Sequence, residues 1–212
     1  LIIISIWLGM VVVAGIKLRH LLTVFGLGAA AFAAMWEFVL YEYQKLRILT
    51  FLNPLADIQG AGYNAYQSTV AVGSGELFGK GIGYGTQSKL LFLPEFQTDF
   101  IFAAFAEEWG FVGVIILFVL FGVVIWRLVA FANQGATNFD KLFTVGVAFM
   151  FISHFFVHIG MNIGLLPVTG LTIPFLSYGG SHLLTSYIAL GIVMAMRRYA
   201  PIRIQTDDVF LA

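Results

Sequence analysis

The chain has 212 residues, of which 60% are hydrophobic and 10% charged, with eleven basic and eleven acidic side chains. A soluble domain sits nearer ~45–50% apolar and ~25% charged; a mean hydropathy of +0.93 therefore points to a chain dissolved in lipid and excludes disorder, a disulfide scaffold and an ordinary soluble enzyme. The lack of Cys removes thiolate zinc sites and Cys nucleophiles, and zero net charge offers no basic field to nucleic acid.

Five apolar stretches follow one another: 1–16, 21–43, 100–126, 142–163 and 178–196. The first opens LIIISIWLGMVVVAG, with neither the basic start nor the cleavage site of a signal peptide. It falls short of the ~20 apolar residues that cross a bilayer, so it reads as a span cut at Leu1. Lys17, Arg19, Arg127, Lys141, Arg197, Arg198 and Arg203 fall on one side of a five-span chain. Lys45, Arg47, Lys80 and Lys89 fall on the other, spread over a far longer segment. The first side is then cytoplasmic and holds the C-terminus.

Two connections on the outer side carry the information. Residues 44–98 are too long for a passive loop and too rich in Phe51, Leu52, Tyr63, Tyr66, Leu77, Phe78, Leu90, Leu91 and Phe92 for disorder. Residues 165–181, LLPVTGLTIPFLSYGGS, combine Pro167 and Pro174 with Gly170, Gly179 and Gly180, which forbids one continuous helix. Irregular backbone at membrane depth survives only when buried in protein or lining a wet cavity. Both segments are therefore expected to fold back as re-entrant walls of one outward cavity.

Several motifs reduce to packing. The run GSGELFGKGIGYG (73–85) lacks the spacing of a phosphate loop or a dinucleotide fingerprint, and glycines turning tightly against helices explain it better. His154 and His158 share a helix face, but Phe155 stands where a zincin needs Glu, so a hydrogen-bonded polar pair is preferred to a metal site. Gly160 and Gly164 have the spacing of close helix packing. In LPEFQTDF (93–100), Glu95 and Asp99 lie at the mouth of the third stretch. A helix cap by Thr98 or Asp99 is the simpler reading of that mouth. Glu107 and Glu108 lie ~12 Å further along at 1.5 Å per residue, where a carboxylate is costly unless it faces a polar interior.

The segment NPLADIQGAGYNAYQSTVAVGSGELFGKGIGYGTQSKLLFLPEFQTDFIFAAFAEEWGFVG (53–113) closely resembles the SEDS family of RodA and FtsW. YQKLRILTFLNP (43–54) and HIGMNIGLLPVTGLTIPFLSYGGS (158–181) match the same family in the same order. The resemblance implies an all-α, polytopic transmembrane helical bundle of about ten spans, with residues 1–212 as the C-terminal half of one membrane domain, and it leans to the RodA-like branch. It further implies a peptidoglycan glycosyltransferase that polymerises lipid II at the outer face of the bacterial cytoplasmic membrane. Undecaprenyl pyrophosphate is the leaving product and a class B penicillin-binding protein the partner. Asp99 matches the family's essential acid, the base for the acceptor 4-hydroxyl. Lys89, Gln87 and Ser88 match positions flanking the cavity, with Lys89 and Gln87 facing pyrophosphate charge. For Glu95 two roles stay open, orienting the loop or holding a divalent cation. Gln97 stands for the family's usual His, and His158 stands where Asn is common. The competing readings are a lipid II flippase, which should carry charge near the bilayer midplane, and a scaffold, for which Asp99 is dispensable.

Overall fold

The computed structural model describes residues 2–41, 63–90, 92–93 and 95–209. The matching block at 43–54, with Lys45, Arg47, Phe51 and Leu52, lies outside the described residues, as do the Ser88 and Arg203 side chains. The described residues form seven helices and no strand: α1 (Ile2–Val13), α2 (Leu18–Phe38), α3 (Tyr63–Ser74), α4 (Thr86–Lys89), α5 (Ile101–Asn133), α6 (Asn138–Asn162) and α7 (Gly180–Val209). Three of these, α2 from Arg19, α5 and α6, are long and apolar enough to cross a membrane.

The elements differ from the expected stretches where tertiary structure intervenes. α5 runs seven residues past 126, and α7 continues beyond 196 through the charged pair Arg197–Arg198. α3 is a full helix inside the region expected as loop, and α1 is a short apolar helix. α6 begins with a capping box: Thr137 Oγ1 accepts from the Asp140 amide, and the Asp140 carboxylate accepts from the Thr137 amide.

α6 is the hub of the bundle, packed by α1, α5, α7 and α3. α1 approaches closely because Gly9 lies against the Phe149 ring, where any Cβ would clash. Ser5 and Ser153 hydrogen-bond across the same contact. Between α5, α6 and α7 the core is Phe121, Leu128, Val147, Ala148, Phe151 and Val193. Phe121 stacks on Phe155 at 4.1 Å between ring centres, a pairing that adds to simple area burial. The most apolar window of α2 has no buried residue within the described chain.

α5 is broken at Gly110, whose φ of 65° and ψ of −169° are not helical. The break opens two rungs of the helix ladder, and the glycine-rich loop after α3 fills both. Phe111 and Val112 donate to Glu76 O and Leu77 O, while Glu107 O and Glu108 O accept from the Lys80 and Gly81 amides. Main chain is interleaved with main chain here. A Cβ at Gly79 would lie 2.1 Å from Glu108 O, and one at Gly110 would lie 2.2 Å from Gly79 N. Within 73–85 this close approach requires glycine at positions 75 and 79, in line with the packing reading. Beyond Gly110, α5 runs on for ~35 Å at 1.5 Å per residue, enough for a ~30 Å hydrocarbon core.

Candidate functional site

The site grows from the turn that leads into α5. Glu95 adopts φ 52°, a left-handed conformation uncommon outside glycine. Its carbonyl thereby accepts from the amides of Thr98, Asp99 and Phe100 together. Thr98 Oγ1 donates to the Glu95 carboxylate at 3.0 Å. The structure does not use Thr98 or Asp99 as the helix cap: the N-cap position is Phe100, with no side-chain capping bond. The Asp99 side chain is left for other work.

Asp99 is half-buried, and two elements hold it. From α6, Asn162 Nδ2 donates to Asp99 O at 3.1 Å. From the Pro/Gly segment, Gly170 lies directly against the carboxylate; a Cβ added there would stand 3.4 Å from Asp99 Oδ2. The same segment is stitched to the turn, with Tyr178 N donating to Gln97 O at 2.9 Å and Ser177 Oγ donating to Thr98 O at 3.0 Å. Phe175, at φ 67°, is locked edge-on between Phe151 and Tyr187. Segments 93–100 and 165–178 thus meet around Asp99. Burial, and after it the Glu95 carboxylate, hold the Asp99 carboxyl above the ordinary aspartate range.

Of the remaining sequence candidates, Gln87 reaches a different acid, Glu107. Gln87 and Lys89 lie on α4 with Ser88, and the Gln87 amide donates to the Glu107 carboxylate at 3.2 Å. Lys89 is exposed and sits 5.7 Å from the Tyr84 ring centre. Gln87 Oε1 is buried without a hydrogen-bond partner among the described residues. α4 connects to the Asp99 turn through Leu93, whose amide donates to Gln87 O and whose side chain is buried with Ala71, Phe100 and Ala103.

Glu107 is fully buried and fully answered. Lys80 Nζ donates to it at 2.7 Å, Thr86 Oγ1 at 2.8 Å, Thr86 N at 2.9 Å and Ser74 Oγ at 3.4 Å. A carboxylate with that many donors ties the glycine-rich loop to α5 and has little capacity left for substrate. In the sequence Lys80 reads only as an outer-side charge and Gly170 only as a helix breaker, and nothing marks Thr86 or Asn162. Lys80 stands 27 residues from Glu107, and no local spacing marks that pair.

The imidazoles and acids do not converge on a metal. His154 and His182 rings lie 4.8 Å apart, while His154 and His158 bond through Nδ1 to Met150 O and Leu171 O. Among the described residues no three His, Asp or Glu side chains form a group fit for a metal ion. Glu95 and Asp99 alone do not make a cation site, so no step is derived through one.

Known proteins agree with this architecture. The family model FTSW_RODA_SPOVE, cell cycle protein, matches residues 1–201. The chain is 44% identical over 171 residues to a peptidoglycan glycosyltransferase, MrdB, of Escherichia coli K12, covering 81% of this chain and 46% of that protein. It is 39% identical over 191 residues to the stage V sporulation protein E of Bacillus subtilis, covering 90% and 51%. A solved structure described as "Structural coordination of polymerization and crosslinking by a peptidoglycan synthase complex" superposes with a TM-score of 0.74 at 33% identity, covering 94% of this chain and 55% of that one. The chain spans about half the length of the curated relatives it matches.

Proposed function

The chain belongs to the FtsW/RodA/SpoVE family of cell cycle proteins, an integral membrane helical family, and on that footing we propose that it forms the C-terminal half of a SEDS-type peptidoglycan glycosyltransferase. Lipid II is its substrate, the wall of an elongating or dividing cell its product, and a class B penicillin-binding protein its partner. The relatives named as peptidoglycan glycosyltransferases support the activity. The likeness to a chain of a polymerising and crosslinking complex supports the partner. The Lys/Arg asymmetry supports an outward-facing Asp99 end and a cytoplasmic C-terminus in the bacterial inner membrane.

One observation carries the reading: Asp99 is held at the mouth of α5 by Asn162 of α6 through its main-chain carbonyl, and its half-buried carboxylate, not spent on a helix cap, stands beside a wall of irregular backbone. In our reading Asp99 takes the proton of the acceptor sugar's 4-hydroxyl. The oxygen then attacks the anomeric carbon of the donor with inversion and expels undecaprenyl pyrophosphate. A raised carboxyl is the better base, because its proton affinity moves toward the working pH. Lys89 and Gln87 on α4 offer a cation and amide donors to the departing pyrophosphate, with Ser88 beside them, and Glu95 orients the turn through Thr98.

Transport of the same lipid is favoured less. Glu107 lies in the first two turns of α5, before the break at Gly110, and is paired with Lys80 instead of facing an open path. The test is Asp99→Asn in the intact protein with its penicillin-binding partner, transpeptidation blocked and lipid II polymerisation measured. Asn preserves size and cannot take the proton. Turnover should fall ~10²–10⁴-fold with the protein folded, while Glu95→Gln retains activity. Wild-type turnover by Asp99→Asn refutes the assignment.

A further inference from the structure

Two fully buried polar side chains on the last turn of α6, His158 and Asn162, take no part in the chemistry above. Both reach the surroundings of Asp99. The imidazole Nδ1 of His158 lies 2.6 Å from Leu171 O; a carbonyl only accepts, so Nδ1 carries the hydrogen. Leu171 follows Gly170, whose backbone lies against the Asp99 carboxylate. Asn162 spends its amide group on the other side of the same acid. Its Nδ2 donates to Asp99 O at 3.1 Å and to His158 O at 2.8 Å, and its Oδ1 accepts from Ala103 N at 3.2 Å. Ser68 of α3, also fully buried, shares its hydroxyl hydrogen between Asn162 O at 2.8 Å and Oδ1 at 3.2 Å.

We propose that His158 and Asn162 are positioning residues for Asp99, one hydrogen-bonding the Gly170–Leu171 backbone that runs beside its carboxylate and the other its main-chain carbonyl. This rests on the reading of Asp99 as the base. Gly170 has φ +68° and no side chain to wedge it in place, and the bond from His158 to the next residue supplies a fixed point. A fixed backbone beside a carboxylate sets its aim. A displacement of about 1 Å in such a group costs up to ~10²-fold in rate.

The discriminating change is at His158. Asn carries its amide nitrogen at the same branch from Cγ as the imidazole Nδ1, so His158→Asn keeps a donor toward Leu171 O. His158→Phe keeps the ring and removes the donor; His158→Gln keeps the donor one methylene too far away. Among the described residues Glu95, on the same turn, is the charged group that acts on the Asp99 carboxyl, and the substitutions at His158 leave it unaltered.

The experiment measures lipid II polymerisation by the intact protein with its partner across a pH series. His158→Phe should lower kcat by ~10- to 100-fold with KM held within about twofold. Its acid limb should move to lower pH by ~0.5–1 unit, because water reaching the carboxylate relieves its desolvation. His158→Asn should stay within about threefold of wild type. Should His158→Phe not fold, the comparison of His158→Asn with His158→Gln decides in its place, with Gln impaired as Phe is expected to be. Wild-type kcat and an unmoved acid limb in His158→Phe, or His158→Asn as impaired as its partner variant, overturns the proposal. Asp99→Asn is run alongside. If it is inactive while His158→Phe is normal, the positioning role alone fails; if it polymerises normally, the base assignment fails with it.

Discussion

Lys80→Met removes the cation from a carboxylate that has nowhere else to go. Glu107 is 0% exposed, while Lys80 is 31% exposed at the side chain. Removing one partner of a buried pair typically costs ~3–5 kcal/mol, because the other charge is left uncompensated. Two features reduce that figure here. Thr86 N, Thr86 Oγ1 and Gln87 N still donate to Glu107, and water reaches the Lys80 side of the pair. About 2 kcal/mol is the expected remainder, equal to roughly 30-fold in the opening equilibrium of the loop. The opening should be local, since the loop's own bonds to Glu107 O and Glu108 O come from the Lys80 and Gly81 amides. Amide hydrogen exchange on the intact protein in detergent reads it directly: peptides covering 76–87 and 107–112 should exchange faster, and those covering 145–155 should not. Glu107→Gln in the Lys80→Met background removes the orphaned charge and should recover most of the protection. Additive single effects, with a coupling within ~0.3–0.5 kcal/mol, refute the claim that this pair holds the loop.

The interleaved backbone predicts a sharp contrast between two glycines of one helix. Gly110→Ala should lower thermal stability by at least ~2 kcal/mol, since it combines a positive φ with a Cβ 2.2 Å from Gly79 N, whereas Gly122→Ala meets nothing within 4 Å and should be neutral or stabilising; similar melting temperatures for the two would refute the interleaving. Asp99 predicts a pH effect on stability of defined sign. Its folded carboxyl lies above the ordinary aspartate value of 3.8, so the folded state holds the proton longer than the unfolded chain, and stability falls as pH rises from that value through the folded one. At neutral pH Asp99→Asn should therefore melt at or above the wild-type temperature, and a clear loss of stability would show that the carboxylate is paired and not merely desolvated.

What the sequence made legible follows from which forces act locally. Apolar length marked the stretches that became α2, α5 and α6, because a helix in lipid must satisfy its own backbone and needs no partner to be recognised. Pro167, Pro174 and the nearby glycines marked the segment that bends over Asp99, because they veto a helix wherever they stand. Asp99 and Glu95 were legible as a resemblance. The capping alternative could be settled only by φ angles, since Phe100, not Asp99, occupies the N-cap position. Other features depend on chain segments meeting, and no periodicity announces that. Gly110 reads in sequence as one more small residue in an apolar run, yet it breaks α5 because the loop at 75–81 supplies donors and acceptors for both opened rungs. Glu107, which depth alone marked for a function, became a structural anchor once Lys80 and Thr86 arrived from the loop. The two acids therefore divide the work by how their hydrogen-bonding capacity is spent. Glu107 accepts from the main chain and side chains of its own fold, and Asp99 offers an uncapped carboxylate at the mouth of α5 with glycine backbone against it. An acid whose oxygens are committed to the fold can hold a wall in place. A partly desolvated one free of the helix cap is suited to accept a proton from a substrate hydroxyl, the role proposed for Asp99.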